Sequence, residues 1–152
     1  MGVKEMLHSD LIQLNVDVKD EVELFHVVAE DLLAKGYVTK DYIHGIIERE
    51  KNYPTGLITP YLNIALPHSD VQYINKAFIY VVRLENPIQV RQMGDNQLME
   101  VKDLFFLGIK EPSKQVGLLS TLMVLFQDED FVTDYLTLTN TNDVYELLKT
   151  KL

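Results

Sequence analysis

The stretch Lys76-Ala77-Phe78-Ile79-Tyr80-Val81-Val82-Arg83-Leu84 is almost continuously apolar and rich in β-branched and aromatic side chains. Those residue types favour a strand. A strand without polar alternation has both faces covered, so it belongs inside a sheet flanked by two layers. Asp103 to Ile109, with Leu104-Phe105-Phe106-Leu107 at its heart, reads as another buried strand. Between them, Ile88 to Arg91 reads as a short edge strand after Pro87, and Gly94-Asp95-Asn96 marks a turn.

Outward from this centre the periodicity changes. Ile12, Leu14, Val16 and Val18 alternate with polar residues, as in a half-buried strand or extended arm. From Asp20 to Lys35, Val22, Phe25, Val28 and Leu32 recur at helical spacing, and Gly36 is a suitable stop. A second helix is predicted over Lys40 to Lys51, capped by Thr39, with Tyr42, Ile43, Ile46 and Ile47 as its buried stripe. Pro54 and Gly56 open a loop over residues 53–60 that leads to a short strand, Asn63 to Leu66. Downstream, Pro112 suits a first helical turn. Val116, Leu119, Leu122, Met123 and Phe126 then extend a helix to Gln127, and two more helical stretches span Asp128 to Leu136 and Asn142 to Lys151. Strands separated by helices predict an α/β fold, a mixed β-sheet sandwiched by α-helices, in a single domain over residues 1–152.

The chain has 152 residues, enough to bury a core without staples. It contains no cysteine, which excludes disulfides, thiolate metal sites and a cysteine nucleophile. Fourteen basic against 23 acidic residues give a net charge of −9. That disfavours nucleic acid and anionic lipid as partners, since both need clustered cations. No apolar run reaches the roughly 20 residues that span a bilayer, so direct membrane insertion is not expected and the chain reads as cytoplasmic. There is no glycine-rich phosphate loop and no Gly-x-Ser-x-Gly elbow. Glu23, His26 and Glu30 share a helix face, but without a histidine pair four residues apart they do not make a metal site. No metal or cofactor is expected.

The candidate chemistry lies in Asn63-Ile64-Ala65-Leu66-Pro67-His68-Ser69, where an apolar run stops at a proline beside a histidine. Proline cannot donate into a ladder, so the chain turns and His68 is held at a strand end. Imidazole is mostly neutral and nucleophilic near pH 7, with an ordinary pKa of roughly 6.5. A plain surface-loop histidine is the alternative. Arg49 extends the inward stripe of the second helix, where its planar fork can grip phosphate oxygens. It equally suits solvation, or pairing with Glu48, Glu50 or the helix-end carbonyls. Gln115 reads as a neutral donor in the first turn of the later helix, where free N–H groups gather, or as a solvated glutamine. Ser69 can contact a phosphate oxygen or the ring. Asp70 either fixes the imidazole tautomer or caps a turn. His8, His26 and His44 look inert.

Ile47-Glu48-Arg49-Glu50, then Pro54-Thr55-Gly56, then Ile64-Ala65-Leu66-Pro67-His68, resembles the fructose–mannitol-type enzyme IIA domain of the bacterial sugar phosphotransferase system (PTS). The similarity covers about residues 10 to 150. It implies that His68 is a phosphorylated nucleophile that takes phosphate from the phosphocarrier HPr and gives it to a thiol site on enzyme IIB. It also implies that Arg49 stabilises the phosphate. Mannitol-type members carry a second histidine where this chain has Gln115. That glutamine, with Tyr53-Pro54-Thr55-Gly56-Leu57 and the stretch from Lys76 to Pro87, is similar to the galactitol-specific IIA branch, which implies an IIB partner of a galactitol or polyol system. Two other readings stay open. One is a regulatory relative whose phosphorylation controls a transporter or transcription factor. The other is a small hydrolase using His68 with Asp70.

Overall fold

The structure, a computed structural model, describes residues 3–152; Met1 and Gly2 lie outside the described residues. Among the described residues, five strands form one mixed sheet: β1 (Leu7–Val16), β2 (Gly56–Ile58), β3 (Asn63–Ala65), β4 (Phe78–Arg91) and β5 (Leu98–Gly108), in the spatial order β1-β4-β5-β3-β2. β1 runs parallel to β4 and β3 parallel to β5, while β4–β5 and β2–β3 are antiparallel. The helices are α1 (Glu21–Ala34), α2 (Tyr42–Asn52), α3 (Leu118–Leu125), α4 (Glu129–Thr137) and α5 (Thr141–Lys151). None is long and apolar enough to cross a membrane, among the described residues.

Period-2 alternation in β4 and β5 divides the core. Phe78, Tyr80, Val82, Leu104 and Phe106 face α1 and α2, packing with Phe25, Val28 and Ile46. Ile79, Val81, Phe105 and Leu107 face α3, α4 and α5, packing with Leu122, Phe126 and Tyr135. The predicted sandwich is therefore the observed one. Asp20 caps α1 by accepting the Glu23 N–H at 2.9 Å, and Gly36 follows the helix at φ 84°.

The structure departs from the sequence reading at several points. β1 starts at Leu7 and carries register shifts against β4. Ile12 and Leu14 thus join the core under α3–α5, and Val16 and Val18 the one under α1 and α2, with Asn15 at φ 58° between them. β4 continues through Pro87, because a register shift between Arg83 and Ile88 absorbs the missing donor. Gly56–Ile58 is a short strand within the expected loop. Val22 is 50% exposed; Leu24, Phe25, Val28, Ala29 and Leu32 form the inward face of α1.

At one sheet edge the order and strand directions gather the start of β4 and the ends of β3 and β5. His68 follows from β3 at this end.

The two-sided core gives a contrast. Phe105→Ala is expected to cost about 3–5 kcal/mol, and Val22→Ala to stay within about 0.5 kcal/mol. Urea denaturation of the two variants checks this, and equal losses would contradict the packing assigned to α1 and β5.

Candidate functional site

β3 hands the chain to Leu66-Pro67-His68. Pro67 offers no N–H, but its carbonyl accepts from Leu107 N–H at 2.9 Å, so the segment stays attached to β5. His68 pairs with Leu107 in an isolated parallel bridge and is half-buried. Its Nδ1 lies 2.8 Å from the Leu66 carbonyl oxygen. A carbonyl only accepts, so Nδ1 carries the proton in this contact and Nε2 presents the lone pair. Burial pushes the His68 pKa below its ordinary value, and the nearby Arg49 charge adds to this, while the Leu66 carbonyl and Asp70 oppose it. The ring is therefore neutral at pH 7, with Nε2 as its nucleophilic atom.

The Leu66 carbonyl is itself held by a buried chain of bonds. Leu66 N–H donates to both the carbonyl oxygen and Oγ1 of Thr55, at 3.3 and 3.2 Å. Thr55 N–H and Oγ1 donate to the two carboxyl oxygens of Glu50, each at 2.9 Å. Gly56 comes next. A Cβ there would sit 2.5 Å from the Arg91 carbonyl oxygen, so only glycine lets the loop pass β4 this closely. The segments Glu50, Thr55-Gly56 and Leu66-Pro67-His68 are thus one hydrogen-bonded unit.

Glu50 is 4% exposed, and burial raises its pKa to about 7, assisted by Glu21 and opposed by the Thr55 bonds. Glu21 is raised to about 7 by burial and by Asp20, and its Oε2 has no hydrogen-bond partner. Both carboxyls line a cavity of about 250 Å³. Sequence reading missed the buried bonds of Glu50 to Thr55. The available signal was a glutamate four residues past Ile46 on the apolar stripe of α2.

Arg49 lies in the last turn of α2 and is half-buried. It pairs with neither Glu48 nor Glu50: its Nη1 donates to Asp70 Oδ1 at 2.8 Å, and its guanidinium sits 5.0 Å from the centre of the Tyr53 ring. Arg49 and His68 thus come to one place, joined through the residue two positions after the histidine. Asp70 plays neither of its expected parts, since Leu66 holds the imidazole and the Asp70 side chain makes no cap bond in the following turn. The Ser69 hydroxyl donates to the Asp70 carbonyl at 3.0 Å, which shapes the turn.

Gln115 is placed differently from the expectation. α3 begins only at Leu118, because Gly117 adopts φ 86° and interrupts the helix. Gln115 therefore sits in the preceding turn, and Val116 is 81% exposed. Its N–H is engaged with the Glu111 and Pro112 carbonyls, and its Oε1 accepts from Glu111 N–H at 2.9 Å. No hydrogen bond joins it to His68 or Arg49 among the described residues. It lines a cavity of about 520 Å³ with Tyr37, Lys76 and Lys110. His26 and His44 are exposed, while the ring of His8 packs 5.4 Å from Tyr37, a partner that sequence reading did not find. Thr39 does not cap α2; its N–H donates to the Tyr73 carbonyl.

The geometry is that of an oriented, neutral histidine within the field of an arginine. The family model described as "Phosphoenolpyruvate-dependent sugar phosphotransferase system, EIIA 2" matches residues 5–151, and the chain belongs to that family. It is 28% identical over 130 residues to the galactitol-specific EIIA component of the Escherichia coli K12 PTS, covering 86% of this chain and 87% of that protein. In fold it is similar to the nitrogen regulatory protein IIA-Ntr from Neisseria meningitidis, with a TM-score of 0.78, 21% identity and coverage of 96% and 98% of the two chains. It is also similar to a chain from the complex of enzyme IIA-mannitol with phosphorylated enzyme IIB-mannitol from Escherichia coli. There the TM-score is 0.70, the identity 19%, and the coverage 99% of this chain and 97% of that one.

Two outcomes test the buried unit. Glu50→Ala leaves the Thr55 N–H buried without an acceptor and is expected to cost about 1–3 kcal/mol in urea denaturation. Glu21 and Glu50 hold protons in the folded chain up to about pH 7, well above the 4.5 of the unfolded groups. Their contribution to stability is complete below pH 4.5 and is lost as pH rises through 7. Glu21→Gln is therefore expected to gain about 1–3 kcal/mol over the parent on going from about pH 5 to pH 8. A constant difference between the two proteins would contradict the burial of this carboxyl.

Proposed function

We propose that this chain is the IIA phosphocarrier of a phosphoenolpyruvate-dependent sugar phosphotransferase system. In this reading it takes phosphate from phospho-HPr on His68 and passes it to enzyme IIB, for galactitol or a related polyol. The observation that carries the reading is the Nδ1 contact to the Leu66 carbonyl, which leaves Nε2 as the free nucleophile. The Nε2 lone pair attacks phosphorus while the donor's N–P bond breaks and its electron pair returns to the donor ring. A IIB thiolate then attacks the same phosphorus, and the His68 N–P electrons return to Nε2. Nδ1 keeps its proton throughout, so a neutral imidazole leaves.

A loose phosphoryl-transfer transition state asks for positioning and charge stabilisation. Arg49 supplies the charge, held near the ring by its bond to Asp70. Ser69 shapes the turn after the histidine through its hydroxyl bond to the Asp70 carbonyl. Gln115 contributes no more than a neutral Nε2 donor at the margin. The match to the galactitol-specific relative supports the polyol assignment.

Incubation with enzyme I, HPr and labelled phosphoenolpyruvate is expected to label the parent and leave His68→Ala unlabelled. Arg49→Lys is expected to slow transfer by roughly 10- to 100-fold, the worth of one charge-assisted bond. Undiminished labelling of His68→Ala would end the reading. With a galactitol IIB and its membrane component, sugar phosphorylation is expected. Label uptake without sugar phosphorylation by any matched IIB would remove the transport role.

A further inference from the structure

We propose that Asp70 is a positioning residue that latches Arg49 in the unphosphorylated chain and gives it up to the phosphoryl group on His68, so that phosphate is held loosely. This rests on the reading of His68 as the phosphoacceptor.

Four features of the site lead to it. Asp70 Oδ1 receives Arg49 Nη1 at 2.8 Å across a separation of 21 residues, and its side chain makes neither an imidazole bond nor a cap bond. Arg49 is oriented from its other side by Tyr53, 5.0 Å from the guanidinium carbon. Its Nε is buried without a partner, so the guanidinium keeps donor capacity beyond the latch. Asp70 is 56% exposed in its side chain, which lets the carboxylate move aside into water.

A phosphoryl group brings about two negative charges and three acceptor oxygens, and it outcompetes a single half-exposed carboxylate oxygen for the guanidinium. The displaced Asp70 remains two residues from His68. Its negative charge then opposes that of the phosphate, which raises the free energy of the charged carrier. Arg49 and Asp70 also shift the proton affinity of His68 in opposite senses, so both fields reach the ring. A relay protein needs this balance, because a phosphate gripped by an unopposed arginine would not move on.

Asp70→Asn keeps the shape and removes the charge. In the equilibrium with phospho-HPr it is expected to shift the constant about three- to fivefold toward the phosphorylated chain, as a half-exposed ion pair allows. In an Arg49→Ala background the same change is expected to have a smaller effect, the part left by direct repulsion alone. Titration of the unphosphorylated chain with inorganic phosphate, followed through the Arg49 side-chain NMR signals, is expected to show binding tightened by a similar factor in Asp70→Asn. Either quantity unchanged in Asp70→Asn, or an equal shift without Arg49, overturns the latch. If His68 of the parent never takes phosphate, the carrier reading fails, whereas the phosphate titration still decides whether Asp70 competes for Arg49.

Discussion

The bond between His68 Nδ1 and the Leu66 carbonyl is the constraint on which the site depends. It selects one tautomer, fixes the ring plane and leaves only Nε2 with a free lone pair. A backbone carbonyl two residues away does this only if the backbone itself is fixed. Leu66 is fixed on one side by Thr55, which Glu50 anchors, while Pro67 is tied to Leu107 of β5 on the other. The histidine thus takes its orientation from a buried glutamate on α2 and from the sheet. Low dielectric makes such bonds strong and makes any unpaired member costly, so the unit forms as a whole.

Electrostatics at the surface of this unit are nearly balanced. Arg49 faces Asp70, and the neutral ring sits between the reach of both charges. The balance comes from the Arg49–Asp70 contact. The solvent-facing position of that pair also suits the proposed handover, since a deep pocket would shield Nε2 from a partner protein.

Much of the fold was legible because β4 and β5 carry long apolar runs and α1 has a clear cap and stop. The boundaries were misread where strand pairing or a local backbone turn outweighed the signal of residue type. Pro87 reads as a strand break, yet a bulge accommodates it. Pro112 reads as a helix start, yet Gly117 delays α3 to Leu118. Leu7 to Asp10 lacks alternation, yet pairing with β4 makes it a strand. In the candidate site, the nearness of His68 to Arg49 was legible from residue type and place. The role of Asp70 was not, because its partner lies on a different element. Glu50 looked like an ordinary helix-end acid until its contacts with Thr55 were known. A backbone carbonyl such as that of Leu66 has no sequence signature at all.

The most direct measurement is a long-range proton–nitrogen NMR correlation of the His68 ring before and after phosphorylation. The expected result is a protonated Nδ1 and a bare Nε2 in the free chain, with phosphorus attached to Nε2 afterwards. A proton on Nε2 in the free chain, or phosphate on Nδ1, would contradict it.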